Sequence, residues 1–193
     1  MLSSIDRNTL ALEIPPGSKY QLIYRTAVAP LESHAPDGVH FVFCERAADL
    51  IAHRRYVWPL GWSWLGKSTI KLFTARRFFY FAHGENKLLH TGWLTLSRCR
   101  QYPIAAGEAV IERLWTAEAA RRRGIATYCT RMAMQSLAGR TSMFYIDTEN
   151  TNYACQRMIE KCGFGEPIGM YLKRIPSAQS KASACVGVEN REA

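Results

Sequence analysis

The sequence predicts an α/β (α+β) fold with a mixed, mostly antiparallel central sheet flanked by helices. Short runs rich in β-branched and aromatic residues alternate with segments of helical periodicity, in the order β-α-β-β-β-α-β-α-β. The 193 residues are 48% hydrophobic and 21% charged, which is ordinary for a globular protein and sufficient for one core. We therefore expect a single domain over residues 1–174 and a flexible tail over residues 175–193.

The first quarter of the chain contains one clear strand and one clear helix. Residues 1–37 are the least regular part, with a strand expected at residues 20–26 between two proline-bearing turns. Residues 39–44 (VHFVFC) predict a strand. Residues 45–56 predict a helix, because Ala48, Ile51, Ala52 and Tyr56 recur at helical spacing.

The middle of the chain predicts a three-stranded meander. Residues 69–96 are rich in β-branched and aromatic side chains, and the polar group HGENK at residues 83–87 divides them as a hairpin turn would. Residues 109–116 (AVIERLWT) predict the third strand. Simple alternation places Val110, Glu112, Leu114 and Thr116 on one face, and Glu108 shares their parity.

The remaining elements alternate between helix and strand. An apolar stripe from Ile125 to Leu137 predicts a helix that ends near Gly139, and residues 143–148 predict a strand. Residues 153–161 are helical again, and Gly163 lies where a glycine commonly follows a helix. Residues 168–173 predict the last strand.

The composition limits the classes of partner. A formal charge of +9 favours anionic partners, and the arginine doublets and triplet are scattered, so we expect a phosphate-rich ligand rather than nucleic acid. The six cysteines have no C-x-x-C spacing and the five histidines no ligand spacing, so no metal is expected. The sequence shows no signal peptide and no membrane span, which predicts a cytoplasmic protein. We expect a monomer or homodimer.

The stretch with the strongest chemical signal is residues 114–126 (LWTAEAARRRGIA). It is a strand that ends in a basic loop and opens directly into a helix. Such a junction presents backbone N–H groups and the positive end of a helix dipole at one point, which favours an anion. Gly124 allows a close approach of the backbone.

Two motifs in this half of the chain resemble those of the GNAT superfamily of acyltransferases. Arg121, Gly124 and Ala126 match its R/Q-x-x-G-x-G/A pyrophosphate loop at the same strand-to-helix junction. Residues 152–164 (NYACQRMIEKCGF) resemble its second signature, an Asn and a small residue followed by E-K-x-G-F. The resemblance covers residues 39–172 in element order, and only the latter half by motif.

The resemblance implies a binding site for acetyl-CoA as the acyl-donor cosubstrate. In the family, the strand before the loop diverges from the next one, and the pantetheine arm lies in the gap. Leu114 and Thr116 would supply that backbone here, and Asn152, or Asn150 in its place, would contact the pantetheine arm. The pyrophosphate would be held by the loop and helix start, which comprise Arg121, Arg122, Arg123, Gly124, Ile125 and Ala126.

The resemblance also implies transfer of the acetyl group to an amine by direct attack in a ternary complex. The acceptor would be a primary amine of a small molecule, such as an amino sugar or amino acid, or of a protein. Glu112 is the candidate base, with Glu108 as the second choice, and solvated edge charges are the alternative interpretation for both. The family's usual acid, a tyrosine, is replaced by Ile159, which leaves Tyr153, Tyr171 or water as the proton donor.

Two other functions compete with this hypothesis. Residues 61–68 (GWSWLGKS) match the P-loop pattern G-x-x-x-x-G-K-[ST], and residues 144–147 imitate the apolar run and Asp that hold magnesium. However, the segment follows Trp58-Pro59-Leu60 instead of a buried strand, which disfavours an NTPase. The absence of the usual acid also leaves open a non-catalytic acyl-CoA sensor or interaction module.

Overall fold

The computed structural model describes residues 19–27, 33–73 and 76–172. The predicted tail at residues 175–193, and most of residues 1–37, lie outside these ranges. The strands are β1 Tyr20–Ala27, β2 His40–Cys44, β3 Arg77–Gly84, β4 Lys87–Leu96, β5 Ala109–Thr116, β6 Met143–Glu149 and β7 Gly169–Leu172. The α-helices are α1 Ala47–Ala52, α2 Arg54–Val57, α3 Trp62–Leu72, α4 Ile125–Ser136 and α5 Tyr153–Lys161.

The strands form one sheet in the order β2-β3-β4-β5-β6-β1-β7. Neighbouring strands are antiparallel except for β5 and β6, which are parallel. The predicted mixed, mostly antiparallel sheet is therefore confirmed. The strand expected at residues 20–26 is β1, which lies between β6 and β7 and was not part of the predicted element order.

Helices cover both faces of the sheet. On one face, α4 and α5 pack on alternate residues of the central strands, including Phe78, Tyr80, Leu94 and Phe144. On the other face, α1, α2 and α3 pack on a second cluster around Phe79, Phe81 and Trp93. Burial of large apolar side chains on both faces stabilises the sheet, because each buried aromatic removes on the order of 150–250 Å² from water.

Two predicted boundaries in the first half were wrong. The helix expected over residues 45–56 divides at His53 into α1 and α2. Residues 69–72, assigned to a strand for their β-branched content, form the last turn of α3. Tertiary packing overrides propensity here, because Leu65, Ser68 and Leu72 recur at helical spacing and bury one side of this helix.

The predicted alternation along β5 was also wrong beyond Glu112. Thr91 pairs with Trp115 and Trp93 with Glu112, so two β5 residues oppose the single residue Gly92. This is a β-bulge, and Arg113 within it has a left-handed φ of 57°. Consequently Leu114 packs on the α4 face beside Ala109 and Ile111, whereas Val110 lies on the opposite face.

Candidate active site

The sheet opens between β5 and β6. These strands pair over three positions, from Ala109 opposite Phe144 to Ile111 opposite Ile146, and β5 continues to Thr116. The bulge at Arg113 begins two residues beyond the last of these pairs, and a bulge bends and twists its strand. Beyond these pairs the β5 backbone lies outside the ladder with β6, and we refer to the gap between the two strands as the cleft.

A glycine at the centre of the sheet accommodates this bulge. A Cβ atom on Gly92 would lie 2.3 Å from Cζ of Tyr80 and 2.8 Å from Cδ2 of Leu114. The side chain of Tyr80 therefore crosses the position that any other residue at 92 would fill. The glycine in β4 and the bulge in β5 form one packing arrangement.

The loop after β5 leads into the longest helix on its face of the sheet. A 3-10 turn at Glu118–Ala120 precedes α4, and Gly124 is the N-cap residue with a left-handed φ of 76°. A Cβ atom on Gly124 would meet no protein atom within 4 Å, so the backbone here borders open space. The first amides of a helix lack intrahelical acceptors, and together with the dipole they favour an anion.

The arginines of this loop are exposed around the helix start. Arg121, Arg122 and Arg123 all lie at the surface, and Nε of Arg121 donates to the carbonyl of Thr116 at 3.3 Å. This hydrogen bond orients Arg121 back toward the end of β5. Arg122 occupies a left-handed conformation with a φ of 63°. The sequence-predicted loop residues therefore form one local group.

The candidate asparagines have different partners. Asn152 is the N-cap of α5, and its Oδ1 accepts from the amide of Cys155 at 3.2 Å. Oδ1 of Asn150 accepts from the amide of Tyr20 at 3.3 Å, which attaches it to β1. Asn152 thus begins the helix that follows β6, on the other side of the cleft from the loop.

A buried histidine contacts the end of β5, where the strand leads into the arginine loop. The His90 ring is fully buried at the start of β4, and its Nδ1 lies 2.8 Å from Oγ1 of Thr116. Burial lowers the pKa of His90 to about 4, so the imidazole is neutral at physiological pH. In the described part of the chain its Nε2 has no hydrogen-bond partner.

Glu112 lies at the edge of the cleft on the face opposite α4. Its Oε1 accepts a hydrogen bond of 2.6 Å from Oγ1 of Thr95, and its Oε2 lies 3.7 Å from Nε of Arg113. The side chain is 34% exposed, so it has contact with both protein and solvent. A half-exposed carboxylate held at one oxygen retains a second oxygen for an incoming proton.

Helix α3 forms a wall beside Glu112. Nζ of Lys71 lies 5.2 Å from the centre of the Trp93 ring, and Trp93 pairs with Glu112 across the sheet. Burial and the positive charge of Arg113 lower the pKa of Lys71, while Glu112 opposes this change. The Trp64 ring also lies 6.5 Å from the Trp93 ring.

The second carboxylate candidate is separated from the cleft. Glu108 precedes β5, four residues before Glu112, which corresponds to about 13 Å along an extended strand. Its Oε2 accepts from the amide of Ala105 at 2.6 Å and closes the turn before the strand. The structure therefore does not bring Glu108 together with the rest of the site.

The structure places a further carboxylate, that of Asp147, next to the gap between β5 and β6. The sequence analysis noted this residue only because residues 144–147 resemble the magnesium-binding segment of a P-loop protein. Asp147 follows Ile146, the last residue of β6 that pairs with β5. The hydroxyl of Tyr171 donates to its Oδ2 at 2.8 Å, and the hydroxyl of Tyr102 lies 3.4 Å from its Oδ1. The short apolar run that ends in an acidic residue was the available signal, but the tyrosines come from distant segments.

The candidate proton donors differ in accessibility. Tyr153 lies in the first turn of α5 and is 65% exposed. Burial, and then the charge of Asp147, raise the pKa of Tyr171, whose proton is directed at that carboxylate. Ile159, which replaces the family's usual acid, is fully buried in the core on the α4 face. Burial raises the pKa of the Cys155 thiol.

The P-loop match does not form a phosphate loop. Helix α3 spans Trp62–Leu72, so Gly66 and Lys67 lie inside a helix and their amides belong to its hydrogen-bond ladder. Gly61 precedes this helix with a φ of 89°, after a 3-10 turn at Trp58–Leu60. A phosphate cradle requires consecutive free amides in a loop, which this segment does not provide.

Two further features, a metal site and a membrane-spanning helix, are absent from the described part of the chain. Among the described residues, no three His, Cys, Asp or Glu side chains converge in a manner suited to a metal ion. Within the same ranges, no helix has the length and apolar character needed to cross a bilayer.

A family model and several solved structures are similar to this chain. The family model described as the acetyltransferase (GNAT) family matches residues 44–164. No curated protein matches this chain. A solved structure of a GCN5-related N-acetyltransferase from Kribbella flavida matches with a TM-score of 0.52 at 14% identity, over 85% of this chain and 61% of its own length. The present chain thus spans about three-fifths of that protein.

Two aminoglycoside acetyltransferases are also similar in structure. AAC(6')-Iy, solved with the bisubstrate analogue CoA-S-monomethyl-acetylneamine, matches with a TM-score of 0.51 at 15% identity, over 71% of this chain and 99% of its own. AAC(6')-Ih from Acinetobacter baumannii matches with a TM-score of 0.50 at 17% identity, over 72% of this chain and 99% of its own. At these identities the likeness shows a shared fold.

Proposed function

This chain belongs to the acetyltransferase (GNAT) family, and we propose on that premise that it transfers an acetyl group from acetyl-CoA to a primary amine. The observation that carries the proposal is the divergence of β5 from β6 directly beside the glycine-capped start of α4. These two features offer an extended backbone and a cluster of helix amides within one cleft.

The residues of the cleft fit the proposed donor. Gly124 borders open space at the start of α4, where amides and three exposed arginines favour a pyrophosphate. The β5 backbone from Glu112 to Thr116 lies beyond its pairing with β6 and is suited to hydrogen bonds with the amides of a pantetheine arm. Bound acetyl-CoA would supply the thioester from which the acetyl group is transferred.

Glu112 is suited to act as the general base. An ammonium group must lose a proton before its nitrogen can attack a thioester carbon, and a nearby carboxylate takes up that proton. Thr95 holds one oxygen of Glu112 at 2.6 Å, while the side chain remains partly open to solvent. Glu112 also lies on the face opposite α4, so the amine would approach from the side of α3 and Trp93.

The proton for the departing thiol requires a second group. Tyr171 is poorly suited, because it donates to Asp147 and its pKa is raised by burial and by that charge. Tyr153 is exposed beside Asn152 at the start of α5, and solvent reaches the same place. We therefore retain Tyr153 and water as the candidate donors.

A small-molecule acceptor is supported by the structural neighbours. Two of them are described as aminoglycoside acetyltransferases. The alternative, an acyl-CoA sensor without turnover, is favoured by one observation: Ile159 is fully buried where the family resemblance expects a tyrosine acid.

Turnover distinguishes these two functions. We would incubate the full chain with acetyl-CoA and a panel of small amines and of peptides with free amines, and follow thiol release together with the product masses. We expect amine-dependent thiol release and a product heavier by one acetyl group. Tight acetyl-CoA binding without turnover would establish the sensor, and absence of binding would contradict both.

A further inference from the structure

A surface cavity of about 680 Å³ lies near the edge of the sheet that β2 and β3 form. It is bordered by the end of β3 and by residues 52–58, which comprise the end of α1, all of α2 and the start of the next turn. Pockets of about 300–1,000 Å³ are typical of small-molecule sites. Strand β4 separates β3 from β5, so this cavity does not belong to the proposed site of acetyl transfer.

The polar side chains around this cavity are basic. Two histidines, His53 and His83, and two arginines, Arg54 and Arg55, line it. Within the described ranges, its lining includes no acidic side chain. A third histidine, His40, pairs with His83 across β2 and β3, and the two rings are 5.2 Å apart. Basic groups collected without a carboxylate produce a positive potential, which favours an anion in the cavity.

Tyr56 holds two of these basic groups in place. The His83 ring stacks on the Tyr56 ring, with 3.6 Å between the ring centres and 9° between the planes. The guanidinium of Arg55 lies 4.5 Å from the centre of the same ring and donates to the tyrosine hydroxyl. Nη1 of Arg54 donates to the carbonyl of Ile51 at 3.2 Å. Each guanidinium has about five N–H donors, so these bonds orient the arginines and leave further donors for a ligand.

The charge of His83 depends on what occupies the cavity. Burial, and then the charges of His40, His53 and Arg55, lower the pKa of His83. These groups face it from β2, from the junction between α1 and α2, and from α2 itself. His83 is therefore neutral near pH 7 when the cavity holds no anion. A bound anion stabilises the protonated imidazole, so binding takes up a proton and strengthens as the pH falls.

An aromatic surface lies beside the basic groups. Trp58 lines the cavity and is 46% exposed. The Trp62 ring contacts it edge to face, with 4.3 Å between the ring centres, and this contact fixes the orientation of the indole. A flat ring of a ligand can pack on the exposed part of Trp58 while an attached anionic group reaches the arginines.

We propose that this cavity binds a small molecule in which an oxyanion, either phosphate or carboxylate, is attached to a flat ring. Arg54 and Arg55 bind the oxyanion, since guanidinium groups match the geometry of both phosphate and carboxylate. His83 adds a third donor once it is protonated, and Trp58 packs on the ring. This inference is independent of the proposed acetyltransferase function.

The first test varies the probe. We would measure the Kd of phenyl phosphate, benzoate, inorganic phosphate and benzyl alcohol for the full chain by calorimetry, with CoA in excess so that the proposed donor site does not compete. The tighter of the two acidic ring compounds identifies the oxyanion, and we expect it to bind about tenfold or more tightly than benzyl alcohol. Equal binding of benzyl alcohol, or no binding of either acidic compound, would overturn the proposal. Inorganic phosphate that binds as tightly as phenyl phosphate would overturn the role of the ring.

The second test varies the arginines. Arg54→Gln should weaken binding of the preferred probe about tenfold, because it removes a charged donor. Arg157→Gln makes the same change at an exposed position of α5, on the other face of the sheet, and should leave Kd unchanged. An equal loss in both variants would indicate attraction to the overall positive charge and would overturn the site. An unchanged unfolding midpoint verifies that each variant is folded.

The third test uses the pH dependence of binding. Benzenesulfonate keeps its charge between about pH 7.5 and about pH 5.5, so a change in its affinity reports protonation of the protein. We expect the wild type to bind it about three- to tenfold more tightly at the lower pH, and His83→Asn to show a smaller increase. The same increase in both proteins would overturn the role of His83. A loss confined to Arg54→Gln, together with the smaller increase in His83→Asn, would establish the site.

Discussion

The two sides of the cleft are built in opposite ways. The proposed donor side comes from one continuous stretch, in which the end of β5, the arginine loop and the start of α4 follow each other within residues 114–126. The proposed acceptor side is assembled from α3, β4 and the middle of β5, and its members are Lys71, Trp93, Thr95 and Glu112.

This contrast follows from what each side has to recognise. Phosphates and amides of a constant donor are bound by backbone groups, whose direction is fixed by local conformation. A variable acceptor is recognised by side chains, and these converge only when distant segments pack together. We therefore expect single substitutions on the donor side to change CoA binding, and those on the acceptor side to change turnover or selectivity.

The largest expected effect is that of Gly124→Asp. An aspartate there would strain a backbone with a φ of 76° and place a negative charge where the phosphates bind. We expect the affinity for CoA, measured by calorimetry, to fall by more than about 100-fold, which corresponds to about 2.7 kcal/mol.

Two variants separate charge from strain at this position. Gly124→Asn introduces a side chain of nearly the same size with a similar backbone cost and no charge, so its loss should be much smaller. Gly139→Asp adds a carboxylate at an open position without positive φ and should leave CoA affinity unchanged. Normal CoA binding by Gly124→Asp would place the donor site elsewhere.

The next effect concerns the pH dependence of stability that arises from His90, whose buried ring lies next to Thr116 at the end of β5. The unfolded chain binds a proton on His90 below about pH 6.5, the folded chain only below about pH 4, so stability decreases as the pH falls across this interval. Urea unfolding at pH 7 and pH 4 should show that the wild type loses about 3 kcal/mol more than His90→Asn.

An exposed histidine provides the comparison for this measurement. His34→Asn makes the same change at the surface and is measured under the same conditions. Suppose instead that His90→Asn loses as much stability as the wild type between pH 7 and pH 4. The His90 imidazole would then take up its proton in the folded chain, and it would be less buried than the structure shows.

The fold was predictable from the sequence to the extent that its signals are local. The hairpin β3-β4, the helices α4 and α5 and the loop at Gly124 follow from periodicity, turn residues and glycine position. Helix α3 was missed in part because Thr69 and Ile70 favour strands, and the face of Leu114 was mispredicted because a bulge depends on Gly92 in a neighbouring strand.

The candidate site was likewise predictable only where its residues are adjacent in the chain. The loop residues from Arg121 to Ala126 were identified together, since they are adjacent in the chain. Asp147 was not recognised as part of the site, because its partners Tyr102 and Tyr171 lie 45 and 24 residues away in sequence. The family resemblance indicated Glu112, and alternation along the strand did not distinguish it from Glu108, which the structure places before the start of β5.

On the acceptor side, Glu112→Gln should lower kcat and leave CoA affinity unchanged. The amide keeps the size of the side chain and removes its ability to take up a proton, so kcat at saturating amine should fall about 100-fold. Glu108→Gln should keep kcat within about twofold of the wild type, because this residue closes the turn before β5. The opposite result, a loss for Glu108→Gln alone, would exchange the two assignments.

The smallest effect is expected for the exposed arginines of the donor side, and it tests how far that side depends on charge. Arg123→Gln removes one cation at the surface near the start of α4, where solvent and salt screen it. We expect CoA affinity to fall about two- to fivefold at low salt and by less at high salt. Pantetheine, which lacks the phosphates, should bind equally well to both proteins. A loss for pantetheine as large as that for CoA would mean that Arg123 supports the β5 wall of the cleft, and the donor side would then depend on side chains as the acceptor side does.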